Sequence, residues 1–347
     1  MTTTDGGGPA VLDPLDEPPE EPESTSTRRR KLVLLMLLLV VIGGFAAVFG
    51  WYLHTRKPLS QLPGLAGSKL PHYELSLYGV TQPLGVASTP SGDRVYVTES
   101  DGPRTVVVFD RSGKKVGTLR PPTSTGPAHT PVYVAISPVN QDVYVSDRAT
   151  SAVYVYSSKG TYLRTFAPKG AAAKNWAPLG LAFSPDGNLY VTDVGAPAHR
   201  LLVLSTDGTL ERAIGVPEHL TFPNGVAVDK RGNVFLSDSN NGRLLVFGPA
   251  GSVLASLGRG VGQGALGLPR GVALDDSGRL FVVDTTDHMV RVFRVGAGTS
   301  APGFLGSFGG AGQLEGTFRF PNGVAADNRG RLYVTDRDNN RVQVWSY

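Results

Sequence analysis

Two hydrophobic patterns divide the chain. Between Leu32 and Leu53 apolar residues run without a charge or a proline. A run of that kind has no polar face, and its 22 residues, rising about 1.5 Å each, span about 33 Å as a helix, enough to cross hydrocarbon. From residue 71 onward the pattern becomes short alternating runs rich in Val, Leu, Tyr, Phe and Thr, separated by turns bearing Gly, Asn and Asp. Those runs predict β-strands joined by tight turns.

The strand-forming part repeats. FPNGVAVDKRGNVFLSDSNNGRLLVF (222–247), LPRGVALDDSGRLFVVDTTDHMVRVF (268–293) and FPNGVAADNRGRLYVTDRDNNRVQVW (320–345) are copies of one unit, and weaker copies begin at 82, 130 and 177. The aligned positions Gly85, Tyr133, Gly180, Gly225, Gly271 and Gly323 fall 45 to 52 residues apart, a period that signals a repeat architecture. Each copy predicts four strands. The first is small and apolar (GVAVD), the second β-branched and aromatic (LYVTD), the third of the RLLVF type. The fourth is KVGTL (115–119), YLRTF (162–166), TLERA (209–213), VLASL (253–257) or FLGSF (304–308). The last copy ends at Trp345–Tyr347 after its third strand, and an orphan run, YELSLY (73–78), precedes the first copy. That orphan supplies the missing strand and closes the ring, so the fold class is all-β, a six-bladed β-propeller.

These copies resemble the NHL repeat, whose unit runs roughly P-x-G-[VL]-A-[VL]-D, then G-x-[LIV]-[YF]-V-[TS]-D, then N-x-R-[VL]-x-[VL]-F. The resemblance covers residues 73–347 and is strongest in the last three copies; copy two departs from it at Tyr133 and at Asn140. It implies a six-bladed propeller and leaves the chemistry open, because function belongs to sites rather than folds.

Charge divides what precedes the propeller. Residues 1–27 hold seven acids and no Lys or Arg, and Arg28, Arg29, Arg30 and Lys31 follow. Residues 1–31 are therefore expected to form a disordered acidic tail ending in a basic cluster. Residues 32–53 form a transmembrane helix, 54–70 a juxtamembrane linker, and 71–347 the propeller. The basic cluster before the span outweighs His54, Arg56 and Lys57 after it. The positive-inside rule then places the N-terminus in the cytoplasm and the propeller outside the cytoplasmic membrane, on a single-pass anchor that Trp51 and Tyr52 help to seat. The 347 residues include no Cys, which removes disulfides, cysteine nucleophiles and cysteine-based zinc sites. A net charge of +4 gives no reason to expect a nucleic-acid partner. Arg148, Arg200, Arg243, Arg319 and Arg337 approach the loop-rich face but alternate with acids.

Antiparallel order brings Glu99, Asp147, Asp193, Asp238, Asp284 and Asp336 to one face, at the ends of the second strands. Their place before tight turns predicts carboxylates that accept backbone N–H bonds. The residues before the aligned glycines read Leu84, Val132, Leu179, Asn224, Arg270 and Asn322, and are expected at the channel mouth, apolar in one half and polar in the other. Asn224, Arg270 and Asn322 are the candidate ligand-binding residues, with Arg270 as anchor for an anionic or hydroxyl-rich ligand, and Trp176 is a candidate platform for a sugar or peptide. The alternative is local bonding, with Arg270 paired to a ring acid. The PNG step also resembles gluconolactonase-type lactonases, and that resemblance implies one divalent cation, such as calcium, held by the asparagine with acidic partners. Leu84 stands where that family has a glutamate, and Arg270 would repel the cation. His129, His219 and His288 do not align with one another, and no G-x-S-x-G or phosphate-binding loop is present. The sequence therefore points to a binding or scaffolding module for a protein, peptide or glycan, with no catalytic residue, resident metal or cofactor assigned. The alternative is a divalent-metal-dependent extracytoplasmic hydrolase, lactonase or lyase working in the channel.

Overall fold

The first five repeats each pair their own four strands into an antiparallel sheet, because each strand is followed by a turn too short to reach anything but its neighbour. The computed structural model describes residues 25–55, 70–122, 129–195, 197–258, 260, 262, 264–296 and 301–347. Blade 1 is Pro83–Ser88, Val95–Glu99, Val106–Phe109 and Lys115–Leu119; blade 2 is Pro131–Ile136, Val143–Asp147, Ala152–Tyr156 and Tyr162–Phe166. Blade 3 is Pro178–Phe183, Leu189–Asp193, Arg200–Leu204 and Leu210–Ile214; blade 4 is Pro223–Val228, Val234–Asp238, Arg243–Phe247 and Val253–Leu257. Blade 5 is Pro269–Leu274, Arg279–Asp284, Met289–Arg294 and Gly303–Gly309. Blade 6 takes Pro321–Ala326, Arg331–Asp336 and Arg341–Ser346 from the end of the chain and His72–Leu77 from before the first repeat. This closing strand pairs His72 with Ser346 and Leu77 with Val342, with a bulge between Tyr73 and Leu75. Inner strands pack one against the next until Pro321–Ala326 returns to Pro83–Ser88, so the six-bladed propeller is complete.

The core lies between blades. The second and third strands are buried nearly throughout, and their Val, Leu, Tyr and Phe side chains fill the gap to the next sheet. Between blades 6 and 1, for example, Tyr333, Val342 and Val344 meet Val86, Val95, Val107 and Phe109, with Leu77 of the closing strand among them.

Hydroxyl groups latch each blade to the next. Thr98, Ser146, Thr192 and Thr335, one place before the ring acids, donate to the carbonyls of Val132, Leu179, Asn224 and Leu84 on the following inner strands, at 2.9, 2.6, 3.1 and 2.9 Å. At the two remaining interfaces the latch moves two residues along. Ser239 Oγ donates to Pro269 O (2.5 Å) and Thr285 Oγ1 to Pro321 O (2.8 Å). The inner glycines permit this approach. A Cβ on Gly85, Gly225, Gly271 or Gly323 would come within 2.5 Å of a carbonyl oxygen in the neighbouring blade. The shifted turn of copy two is also explained: Gln141 takes the left-handed conformation, φ 61°, that Gly187 and Gly232 take in blades 3 and 4.

The N-terminal unit contains one helix, Thr25–Thr55, with a window from Arg28 to Gly50 long and apolar enough to cross a membrane. It starts before Leu32, where the apolar run begins, and so takes in the basic cluster. Arg and Lys are good helix formers once an adjoining segment has nucleated the helix. Residues 1–24 and 56–69, which hold most of the expected acidic tail and linker, lie outside the described residues.

Candidate functional site

The loop-rich face is organised by the six acids. Each side chain is buried, and each accepts an N–H from the connection leading into its own inner strand: Thr81 to Glu99 (3.1 Å), Thr130 to Asp147 (3.1 Å), Ala177 to Asp193 (2.9 Å), Thr221 to Asp238 (2.7 Å), Leu268 to Asp284 (3.0 Å) and Arg319 to Asp336 (2.6 Å). Among the described residues, backbone N–H groups of the following turn, from Ala149, Thr150 and Gly195, also bond the carboxylate at Asp147 and Asp193, and the side-chain amides of the turn residues Asn241 and Asn339 bond Asp238 and Asp336.

Arginines complete the brace in three blades. Arg200, Arg243 and Arg341 donate Nε to Asp193, Asp238 and Asp336 at 2.9, 2.7 and 2.7 Å, and their Nη2 groups reach the carbonyls of Ala172, Glu218 and Leu314. Carboxylate and guanidinium together hold each long connection onto its blade. Arg200 and Arg243, which approach the face by sequence, are therefore engaged in structure. Thr105 Oγ1 satisfies Glu99 in blade 1, and His129 Nδ1 lies 3.0 Å from Asp147 in blade 2. Two further histidines serve backbone groups: His199 Nδ1 accepts from Phe222 N and His288 Nδ1 from Phe320 N, at 2.9 and 3.0 Å. Phe222 and Phe320 both have positive φ, just before the PNG step.

Of the residues expected at the mouth, Val132, Leu179, Asn224 and Asn322 are buried, while Leu84 and Arg270 are half-buried. Val132 and Leu179 belong to the apolar layer between blades 2 and 3, so the apolar half of the mouth is covered by packing. Trp176 follows a short helical turn, Gly170–Ala173, and is half-buried against that same layer. Its indole N–H is enclosed and makes no hydrogen bond. Its ring packs against the core, which accounts for its position without a ligand.

The polar half divides. Asn224 Nδ2 donates to Phe222 O and Ser239 Oγ, at 3.1 and 2.8 Å, which is local bonding. Asn322 Nδ2 donates to Leu84 O across the 6–1 interface (3.0 Å), and its Oδ1 accepts from Arg270 Nη1 (3.2 Å). Arg270 has no carboxylate partner among the described residues, and its Nε is buried without an acceptor. Burial lowers its pKa from the ordinary arginine value. Tyr133 opposes that shift, while Arg337 and Arg148 add to it.

Tyr133 is what sequence reasoning did not place. It occupies the position that is glycine in the other five blades, and it lines the narrow central cavity with Gly225, Gly271 and Gly323 of the facing blades. Its hydroxyl lies near Arg270 and Asn322, buried and without a completed hydrogen bond. Burial pushes its pKa up to about 12, against the opposing pull of Arg270 and Asn322, so it remains a protonated donor at neutral pH. The departure from the repeat was visible; the blade it reaches was not.

Two hollows larger than the central cavity lie on the opposite face. One of about 340 Å³ opens where the inner strands end, lined by residues such as Ala87, Ala182, Ala273 and Ala325; one of about 320 Å³ adjoins it through Pro185, Val228 and Leu274. The signal for the first was the alanine two places after every aligned position, at 87, 135, 182, 227, 273 and 325, which leaves that end of the ring wide.

Comparison with known proteins agrees with the repeat and the fold. The NHL repeat matches residues 220–247, 266–293 and 318–345. No curated protein matches the chain by sequence. Among solved structures, a streptogramin B lyase superposes with a TM-score of 0.58 at 13% identity, over 80% of this chain and 97% of its own. Virginiamycin B lyase from Staphylococcus aureus gives 0.54 at 13%, over 80% and 99%. The PQQ-bound aldose sugar dehydrogenase from Streptomyces coelicolor gives 0.56 at 16%, over 81% and 99%. At these identities the likeness is one of fold.

Proposed function

We propose that this chain, an NHL-repeat six-bladed propeller with one apolar helix, is a single-pass protein of the cytoplasmic membrane whose propeller lies outside the cell interior. There it serves as a binding or scaffolding module, meeting a protein, peptide or glycan with its loop-rich face. The observation that carries this reading is the employment of the six ring carboxylates. These acids would be the general acids, bases or metal ligands of a channel enzyme, and every one is buried and accepts a backbone N–H; five of them also meet an arginine or hydroxyl side chain, and Asp147 meets His129. The excess of basic residues before the span supports the outward orientation.

The absence of cysteine makes the orientation directly measurable. Ser158→Cys, at an exposed turn of blade 2, is expected to react with a membrane-impermeant maleimide on intact cells. Thr2→Cys is expected to react only after lysis. The reverse pattern would overturn the extracytoplasmic reading.

The metal-dependent alternative makes a separate claim. Among the described residues no group of three or more His, Cys, Asp or Glu is placed to hold a metal. Asn322 Oδ1, the atom a cation would need, accepts a hydrogen bond from the Arg270 guanidinium. Melting the purified chain after chelation, then with calcium, magnesium, manganese or zinc, is expected to give one midpoint. A cation binding the native state at about 100 times its Kd would add about 2.7 kcal/mol, a shift of several degrees. Such a shift, abolished by Asn224→Ala or Asn322→Ala, would replace the binding module with a metal-dependent hydrolase, lactonase or lyase.

A further inference from the structure

We infer that the loop-rich mouth carries an oxyanion site built on Arg270 and the Tyr133 hydroxyl and framed by Arg148 and Arg337, which takes the carboxylate or phosphate group of a ligand. This deepens the reading above and rests on it, since it assigns chemistry to the face proposed to bind.

Two residues break the repeat, and both face Asn322: Arg270 bonds its Oδ1, and the Tyr133 hydroxyl lies beside its side chain. Arg270 stands where the other blades carry Leu84, Val132, Leu179, Asn224 and Asn322, and Tyr133 stands where they carry glycine. They belong to blades 5 and 2, on opposite sides of the ring, yet the Tyr133 hydroxyl lies close enough to the Arg270 guanidinium for each to act on the other. Both present a buried donor with no acceptor, Arg270 Nε and Tyr133 Oη. Buried polar groups without partners are costly, and a buried cation is more so. Elsewhere on this face the fold sets arginines against the ring acids, as at Arg200, Arg243, Arg291 and Arg341. At Arg270 no acid among the described residues is supplied; Arg337 and Arg148 are the other charges that act on it there.

The geometry favours an anion with oxygens to share. Nη1 of Arg270 is held by Asn322 Oδ1 at 3.2 Å, which fixes the guanidinium plane. The Nε–Nη2 edge is left, and that edge matches a carboxylate or phosphate through two parallel hydrogen bonds. The Tyr133 hydroxyl adds a third donor. Arg148 packs over the Phe222 ring, 5.4 Å from its centroid, and forms no ion pair among the described residues. Arg337 also has a buried Nε without an acceptor; its one neighbouring carboxylate, on Asp338, is 3.8 Å away. The result is a cationic, donor-rich mouth in a ring whose own acids are all committed elsewhere.

The test uses the full chain in detergent, with melting midpoints and calorimetric titrations in inorganic phosphate or acetate, against chloride at equal ionic strength. Phosphate, acetate or both are expected to raise the midpoint by several degrees over chloride. The stronger of the two identifies the source as a phosphoryl or a carboxylate group. Arg270→Gln is expected to abolish the rise while melting in chloride at or above the unsubstituted chain, because it removes a buried, unpaired charge. Tyr133→Phe is expected to weaken the anion at least fivefold. Arg329→Gln, on a turn at the opposite face, is expected to leave the effect intact. The inference is overturned if neither anion stabilises the chain, if the rise persists in Arg270→Gln or is lost in Arg329→Gln, if Tyr133→Phe binds as before, or if Arg270→Gln melts well below the parent in chloride. Any of these leaves the maleimide and metal results standing. An inward-facing propeller, conversely, would sink the extracytoplasmic module and leave anion binding by the purified chain unaffected.

Discussion

Deleting residues 72–77 from the full chain should abolish the single cooperative melt of the propeller and leave a self-associating species. The closing strand is the outer strand of blade 6, paired along Arg341–Ser346. Leu77 is 2% exposed within the layer between blades 6 and 1, and Leu75 packs against that layer. Tyr73 meets Trp345 edge-on at 6.0 Å. Polar contacts add to these: His72 Nε2 lies 2.7 Å from Ser346 Oγ, and Glu74 pairs with Arg331. Three apolar side chains, at about 1.5–3 kcal/mol each when fully buried, amount to at most about 5–9 kcal/mol, comparable to the whole stability of many domains, about 5–15 kcal/mol. The deletion also bares the edge of Arg341–Ser346, a strand of buried residues ready to pair with another chain. Thermal melting with light scattering on the same sample reads both effects. A monomer melting within about 2 °C of the parent would show that the ring is not held by this strand.

The fold was legible because its information is local and repeated. Alternation, turn residues and a period near 47 are each visible within one copy or between adjacent copies, and the closing strand followed from counting strands at the two ends. The site was less legible because its contacts are not local. That the ring acids accept backbone N–H bonds could be argued from their position before turns. Which N–H could not: Thr221 precedes Asp238 by 17 residues, and only the paired strands bring them together. The residues before the glycines were expected at the channel mouth, apolar in one half and polar in the other; Val132 and Leu179 are covered by packing, while Arg270 remains half-buried. Arg270 was expected either to pair with a ring acid or to anchor a ligand. No acid among the described residues reaches it, and its partner inside the ring is Asn322. Trp176 sits in a segment that reads as an open loop, but a short helical turn lays it on the core. Tyr133 announced itself as a departure from the repeat, but its neighbour across the channel is fixed by ring closure and by nothing nearby in sequence.

Gly180→Ala is expected to destabilise the propeller by about 1–3 kcal/mol or more, the range for forcing extra volume into a packed interior. A Cβ at residue 180 would lie 1.8 Å from Asn224 O and 2.9 Å from its carbonyl carbon. Those are backbone atoms of the next inner strand, so no side chain can swing aside to relieve the clash. The same carbonyl accepts the Thr192 latch at 3.1 Å, and Thr192 Oγ1 accepts from Gly180 N at 2.6 Å. Moving the strands apart therefore breaks the latch along with the contact. Gly303→Ala is the matched control. It lies at the start of an outer strand, exposed, with nothing within 4 Å of the new methyl group, and should stay within about 0.5 kcal/mol of the parent. Denaturant midpoints of the two variants, measured side by side, decide the matter. If Gly180→Ala proves as mild as Gly303→Ala, the spacing of the ring is not set by contact between inner strands. The large-versus-negligible contrast would instead tie the recurring glycine to the diameter of the channel. That diameter in turn gives Tyr133, the one aligned residue with a side chain, the room it takes in the channel beside Gly225, Gly271 and Gly323.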